Sequence, residues 1–184
     1  MNESDRGCVL VGAALVERRL DDIFEHVFQR NKASKAIQKA LFDSNGPLST
    51  FSAKIKLAYA LGFIRKQTFE DLEAVRRIRN DFAHSADDVD FIGHDASGCI
   101  EQMHCVQQFK GKMPRYSPQS EKDLAAVAEH RKVPREVLLR MDGFVKRTKA
   151  LFALGITVLE LELARNLQGA TTLRPDNPLA PDEP

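Results

Sequence analysis

The sequence predicts an all-α protein, a single bundle of about five or six helices in which the first and last helices are long. Apolar residues recur at steps of three and four along most of the 184 residues, which is the spacing of helices with one buried face. No alternating strand-like pattern extends beyond a few residues. The hydrophobic content of 43% is sufficient for a packed core.

The first helix is predicted from an N-cap at Ser4 or Asp5 to about Phe28. The last helix is predicted from the proline at position 134, which is tolerated in a first helical turn, to about Leu167. The inward stripe of the first helix consists of Val9, Ala13, Val16, Leu20, Ile23, Phe24 and Val27. That of the last helix consists of Val137, Met141, Phe144, Val145, Thr148, Phe152, Ile156, Leu159 and Leu163.

A short helix is predicted over residues 31–42, with Ile37 and Leu41 facing inward and its lysines outward. Residues 43–47, which read Asp-Ser-Asn-Gly-Pro, form a turn in which Asn-Gly supplies a positive φ and proline fixes the next φ. The turn has two interpretations: it sets the crossing of two helices, or its polar side chains line a site. The binding candidates here are Asp43, Asn45 and Ser49.

A third helix is predicted over residues 51–61, capped by Ser49 or Thr50 and followed by Gly62 as its C′ residue. The fourth helix is predicted to begin at an N-cap, Thr68, with Asp71 three residues on as a weak capping box. Residues 85–113 are the least regular part of the sequence. They predict a loop crossing the bundle, with the following residues inward: Phe91, Ile92, Ile100, Met103 and Val106. A further short helix is predicted over residues 120–130.

The composition excludes several classes of protein. Lys plus Arg is 27 and Asp plus Glu is 26, so a net charge of +1 does not steer the whole chain onto nucleic acid. No apolar run reaches the ~20 residues of a membrane span, and no signal peptide is visible. Three widely spread cysteines indicate reduced thiols and a cytoplasmic location. No compact zinc motif is present, so no metal and no cofactor are predicted.

The domain boundary is predicted at residue 168. Residues 1–168 form the all-helical domain. Residues 169–184 contain four of the eight prolines and few apolar residues, which is typical of a disordered tail.

The fourth helix carries the densest group of chemically useful residues. Its apolar face consists of Leu72, Val75, Ile78 and Phe82. Arg79 borders this face, so its guanidinium must be hydrogen-bonded or lead into a polar cleft. Asn80 and His84 are four residues apart and stand above one another. In a straight helix Arg79 and His84 point about 140° apart, so one chain does not focus both on one atom.

Two resemblances follow from these residues. The motif Arg79-Asn80-x-x-x-His84 resembles the signature of HEPN domains. These are all-helical modules that often act as metal-independent ribonucleases and that pair through the helices carrying this motif. Residues 42–64 and 78–85, together with residues 5–8, resemble the mannitol operon repressor (MltR-like) family over about half of the chain. This second resemblance implies a regulator of a sugar-alcohol operon.

Three functions are therefore compared. The first is a repressor of the MltR-like family, which acts through a protein or RNA partner because no helix-turn-helix pair exposes base-reading side chains. The second is a HEPN-like ribonuclease. The resemblance then implies His84 as general base, Arg79 as the group that stabilises phosphate charge, and Asn80 as the residue that orients the pair. The third is a non-enzymatic interaction module.

The candidate site residues follow from these hypotheses. Arg79, Asn80 and His84 are the catalytic candidates, although a structural role in tying helix ends together is the competing interpretation and no enzymatic activity is firmly predicted. Arg76 is a further binding candidate beside them. The expected partners are a protein or a second copy of the chain, with nucleic acid as another possibility and no membrane.

Overall fold

The computed structural model describes residues 4–85, 90–91, 96–109 and 135–172, with the side chains of the last helix described over residues 147–167. Seven helices and no strand lie in these parts of the chain, which confirms the all-α prediction. Their bounds are α1 Asp5–Arg30, α2 Lys35–Phe42, α3 Phe51–Ala60, α4 Lys66–His84, α5 Ala96–Gln102, α6 His104–Gln107 and α7 Arg135–Thr172. The helix predicted over residues 120–130 and residues 173–184 of the predicted tail lie outside the described residues.

The long helices α1 and α7 pack most extensively against one another, and α4 packs against α1 on another side. Phe82 on α4 is fully buried against Phe91, with ring centroids 5.3 Å apart. Phe91 in turn lies 6.2 Å from Phe152 on α7. Three aromatic rings therefore join α4, the segment after it and α7 in one core.

The N-terminal helix begins as predicted, because the Ser4 hydroxyl accepts a hydrogen bond from the Gly7 amide at 3.0 Å. The second helix differs from its prediction. It begins at Lys35, because the Ser34 hydroxyl accepts from the Ile37 amide and caps the helix there. The prediction that Ile37 faces inward is wrong, since 56% of this residue is exposed. Leu41 is partly buried against the core.

The turn after α2 is held by backbone hydrogen bonds, including one from the Gly46 amide to the Asp43 carbonyl at 2.7 Å. The predicted positive φ at Gly46 is wrong, because among the described glycines only Gly62 has a positive φ. The glycine is required for a different reason. A Cβ at position 46 would lie 2.4 Å from the carbonyl oxygens of Ala40 and Leu41, so the close approach of α2 excludes any side chain.

The start of α3 is confirmed, since Thr50 Oγ1 accepts from the Ala53 amide at 3.2 Å. Gly62 has φ +71°, as expected for a residue that follows a helix end. Leu61, the last residue of the helix predicted over residues 51–61, is 53% exposed. The helix has already ended at Ala60, and Leu61 no longer follows its buried face.

The predicted cap of α4 is wrong. The helix begins at Lys66 with Arg65 as N-cap, and Thr68 is buried inside the first turn. The region predicted as an irregular loop contains the short helices α5 and α6. Its inward residues Phe91, Ile100, Met103 and Val106 are buried as predicted, and Ile92 lies outside the described residues.

The last helix extends to Thr172, five residues beyond its predicted end at about Leu167 and four beyond the predicted domain boundary. The disordered tail stays a prediction. The described part of its inward stripe is buried as expected, namely Thr148, Phe152, Ile156, Leu159 and Leu163. Among the described residues no helix is long and apolar enough to cross a membrane.

Candidate functional site

The carboxyl end of α4 lies against the start of α1. A guanidinium nitrogen of Arg6 donates to the Ser85 carbonyl at 2.6 Å. Asp5 accepts from the Phe91 amide at 3.4 Å, and its carboxylate lies 3.4 Å from the Lys149 ammonium on α7. Arg6 of α1 therefore binds the carbonyl of Ser85, the residue that follows α4, through a charged donor. Asp5 links α1 to Phe91 and to Lys149 on α7.

Within this region the three catalytic candidates differ in exposure. Arg79 and Asn80 are half-buried, and Arg79 Nη1 donates to Asn80 Oδ1 at 3.0 Å. His84 is exposed, and no hydrogen bond or ion pair links it to Arg79 in the described residues. Arg79 is therefore hydrogen-bonded, as predicted, and its partner is the next residue in the chain, Asn80. One chain does not join the Arg79 guanidinium and the His84 imidazole, and a catalytic role stays a hypothesis.

Arg76 is held by its own helix. Two of its guanidinium nitrogens lie 2.8 and 3.1 Å from Glu73 Oε2, one turn earlier. Both side chains are about three-quarters buried. The other oxygen of this carboxylate, Oε1, is buried and accepts no hydrogen bond from a described residue. The Arg76 guanidinium is therefore bound within α4, which gives Arg76 a structural role.

The turn candidates Asp43, Asn45 and Ser49 lie far from the motif. Phe42, which precedes them, packs against Phe28 on α1 with ring centroids 6.0 Å apart. The end of α4 instead contacts Arg6, and 22 helical residues from Arg6 to Phe28 span about 33 Å. Asp43 and Asn45 are exposed and Ser49 is half-buried. The structure does not bring these three side chains and His84 into one site.

The amino half of α4 carries a polar arrangement that the sequence interpretation assigned to a capping box. Asp71 is 3% exposed and accepts three hydrogen bonds from α6. Its carboxylate lies 2.7 Å from the His104 amide, 2.8 Å from the Cys105 amide and 3.1 Å from His104 Nδ1. Asp71 therefore caps the start of α6, 33 residues further along the chain, and not the start of its own helix.

Thr68 forms a second long-range contact on the same face of α4. Its hydroxyl donates to Glu162 Oε1 on α7 at 2.5 Å. These contacts border a cleft of about 730 Å³ between α4, α6 and α7. Its lining includes Arg65, Gln67, Thr68, Asp71, His104, Cys105, Val158, Leu161, Glu162, Arg165 and Asn166. The sequence contained no signal for this cleft, because its walls come from three distant segments.

The Cys105 thiol lies beside Asp71 in this cleft. Burial raises the pKa of Cys105, and the nearby Asp71 carboxylate raises it further. The thiol therefore stays protonated at neutral pH and is not an activated nucleophile. His104 Nε2 lies 3.5 Å from Glu70. In the described part of the chain, no group of three or more His, Cys, Asp or Glu residues is arranged to hold a metal ion.

A buried charge cluster lies between α1 and α3. Lys54 is 7% exposed, and its ammonium is 2.9 Å from Glu17 and 2.8 Å from Asp21. Burial lowers the pKa of Lys54, but hydrogen bonds from its ammonium to Asp21 and Glu17 outweigh burial and raise this pKa. Burial raises the pKa of Asp21, although its contacts with Lys54 oppose that rise. Lys54 falls on the apolar arc of α3 with Phe51, a pattern that could have revealed the cluster.

Residues 2–157 match the sequence profile of a family described as "Mannitol repressor". Two mannitol operon repressors, from Escherichia coli strain K12 and Escherichia coli O6:H1, are each 28% identical over 102 residues. These alignments cover 55% of this chain and 52% of each relative. The alignable part of the chain thus spans about half the length of the curated relatives.

A solved structure is similar over a longer range. It is described as the X-ray structure of the MtlR-HPr complex from Escherichia coli. The superposition covers 89% of this chain and 92% of that chain, with a TM-score of 0.60 and 21% sequence identity. At this identity the similarity shows a shared fold. Because the family profile matches residues 2–157, the chain belongs to the mannitol repressor family.

Proposed function

We propose that this chain is a cytoplasmic regulator that represses a mannitol-type operon, and that it acts through a protein partner of the HPr class. Membership of the mannitol repressor family supports the regulatory role. The observation that supports the partner is that the solved structure sharing this fold over nine-tenths of both chains is an MtlR-HPr complex. The fold alone does not assign a partner, so binding must be measured for this chain.

The described surface favours a protein partner over direct reading of DNA. A reading head places the amino end of an exposed helix, with several base-contacting side chains, into a major groove. Lys32, Lys35 and Lys39 form one exposed basic group around the short helix α2. These lysines are exposed and carry charge, but lysine contacts to phosphate do not select a sequence.

An exposed apolar pair on α1 is the surface that we assign to the partner. Val11 and Leu15 are 50% and 45% exposed and lie one helical turn apart. Arg18 continues this face and is 66% exposed at its side chain, where it pairs with Asp22 at 3.1 Å. An apolar centre with a charged rim is typical of a protein interface, and arginine is enriched in such interfaces.

The experiment is titration of the chain with HPr from the same organism by calorimetry, together with light scattering of the mixture after size exclusion. A discrete complex is expected. Leu15→Asp should weaken it at least about tenfold, since this places an uncompensated charge at the centre of the interface. Ile37→Asp is the matched control, because Ile37 is similarly exposed but lies on α2.

Direct operator binding is tested in parallel. The chain alone is expected to give no sequence-specific shift of operator DNA at physiological salt. Phosphate contacts alone would produce a complex that competitor DNA and added salt remove. A specific complex that survives competitor DNA, without HPr binding, would replace partner-mediated repression with direct DNA recognition.

A further inference from the structure

The cleft between α4, α6 and α7 has two kinds of charged group, and they differ in whether they have partners. Its carboxylates are engaged, because Asp71 accepts from α6 and Glu162 accepts from Thr68. Its guanidiniums are not. The side chains of Arg65, before α4, and Arg165, on α7, make no hydrogen bond or ion pair with any described residue. Both are exposed and line the same cleft.

Uncharged groups complete the walls. Gln67 and Asn166 follow Arg65 and Arg165 closely in the chain, and their amides also have no hydrogen-bond partner among the described residues. Leu161 lies on the same wall as Arg165 and is 56% exposed. Beside its two hydrogen-bonded carboxylates, the cleft therefore offers two guanidiniums without partners, two amides that donate and accept, and one apolar contact.

We propose that this cleft binds a small organic anion, with Arg65 and Arg165 as the groups that recognise its charge. The guanidinium of an arginine is planar and permanently charged, and its paired N–H groups match the geometry of phosphate and carboxylate oxygens. A volume of about 730 Å³ is within the range of small-molecule sites. The amides of Gln67 and Asn166 would hydrogen-bond hydroxyl groups of the ligand, and Leu161 would contact its carbon skeleton.

The engaged state of the acids explains why an anion is favoured over a cation. A cation would need the oxygens of Asp71 or Glu162. Asp71 already accepts from the amides of His104 and Cys105, and Glu162 Oε1 already accepts from the Thr68 hydroxyl. If Asp71 turned to a cation, the amides of His104 and Cys105 would lose their acceptor, which is costly. The guanidiniums can bind an anion with no such loss. This ligand site goes beyond the proposed partner binding and does not depend on it.

The test is calorimetry on the full chain with three probes at matched ionic strength: glycerol 2-phosphate, citrate and inorganic phosphate. Saturable 1:1 binding of at least one probe is expected. Arg65→Gln and Arg165→Gln should each weaken it about tenfold or more, because each removes one charged donor pair. Arg77→Gln is the control, since Arg77 is exposed on α4 and does not line the cleft.

Each outcome has a defined meaning. Binding of glycerol 2-phosphate and phosphate alone identifies a phosphate ligand, and binding of citrate alone identifies a carboxylate. Absence of saturable binding by all three probes, with a normal melting curve, overturns the proposal. Binding that is unchanged in both cleft variants, or weakened equally by Arg77→Gln, also overturns it. Circular dichroism melting checks that the variants are folded. Substitution of either exposed arginine should leave the melting curve unchanged, because neither has a partner among the described residues.

Discussion

The two ends of α4 use polar residues in opposite ways. At the carboxyl end, Arg79 bonds its neighbour Asn80, and His84 is exposed. In the amino half, Thr68 and Asp71 are buried and bond to α7 and α6, 94 and 33 residues away in the sequence. The carboxyl end carries the more conspicuous sequence motif, whereas the amino half ties the bundle together.

The two ends show that a segment rich in charged and polar residues is not necessarily the one whose polar groups stabilise the fold. A buried carboxylate with three donors stabilises the fold because each donor would otherwise lose its water without replacement. An exposed histidine exchanges water contacts freely, so its removal costs little. The comparison predicts that substitutions along this one helix will differ several-fold in their effect on the free energy of unfolding.

The largest loss is expected for Phe82→Ala, which tests whether the carboxyl end is anchored by apolar packing. Phe82 is fully buried against Phe91, so its truncation should lower the free energy of unfolding by about 4 kcal/mol. Urea denaturation measures this. Phe69→Ala is the control on the same helix. Phe69 is only partly buried, and about half the loss is expected. Equal losses would show that the core does not centre on Phe82.

The next largest loss is expected for Asp71→Ala, at about 3 kcal/mol, because two backbone amides at the start of α6 lose their acceptor. Glu70→Ala, at the adjacent exposed position, should change stability by less than about 0.5 kcal/mol. Hydrogen exchange adds a local readout, since the amides of His104 and Cys105 should lose protection. Retained protection in Asp71→Ala would contradict the cap assignment.

The Lys54 cluster extends the comparison to a second long-range contact and predicts a pH dependence. The pKa of Lys54 is raised above 10.5, so its contribution to stability is fully present below that pH and is lost as the pH rises through the folded-state pKa. Lys54→Met should cost about 2 kcal/mol at neutral pH, because Glu17 and Asp21 remain as unpaired carboxylates.

The measurement is the urea midpoint from pH 9 to pH 11. Above about pH 10.5 the parent chain should lose stability more steeply than Lys54→Met, and below that pH the two slopes should be similar. Lys56→Met controls for general effects of alkaline pH, because Lys56 is exposed on the same helix. Parallel slopes in all three proteins would show that the cluster does not couple to folding.

The smallest effects are expected at the motif. His84→Ala should change the free energy of unfolding by less than about 0.5 kcal/mol, because His84 is exposed. Arg79→Lys should cost less than about 1 kcal/mol, since one hydrogen bond to Asn80 is affected. Thermal melting measures both. A loss above about 2 kcal/mol for His84→Ala would make this residue structural. RNA cleavage that disappears with His84→Ala, at unchanged stability, would favour the ribonuclease hypothesis.

Local chemistry explains which predictions succeeded. Caps at Ser4 and Thr50, the C′ glycine at position 62 and the stripe of α1 depend on residues a few positions apart. That stripe is buried except for Val27, which is half-buried. The long apolar periodicities were sufficient to predict an all-α fold. The sequence segments that resemble the mannitol repressor family were sufficient to identify the family. Where a signal depended on one short segment alone, as at Ile37, the inferred burial failed.

The sequence by itself determined the helical class, the family and the apolar face of α4. Tertiary structure alone decided the roles of Thr68 and Asp71. Their spacing suits a capping box, but the Thr68 hydroxyl donates to Glu162 on α7 and the Asp71 carboxylate accepts from the His104 amide on α6. It also separated Asp43 from His84 by the length of α1, and it formed the cleft from α4, α6 and α7. The physical reason is that a buried polar group takes whichever partner packing brings within 3 Å, and sequence spacing does not specify that partner.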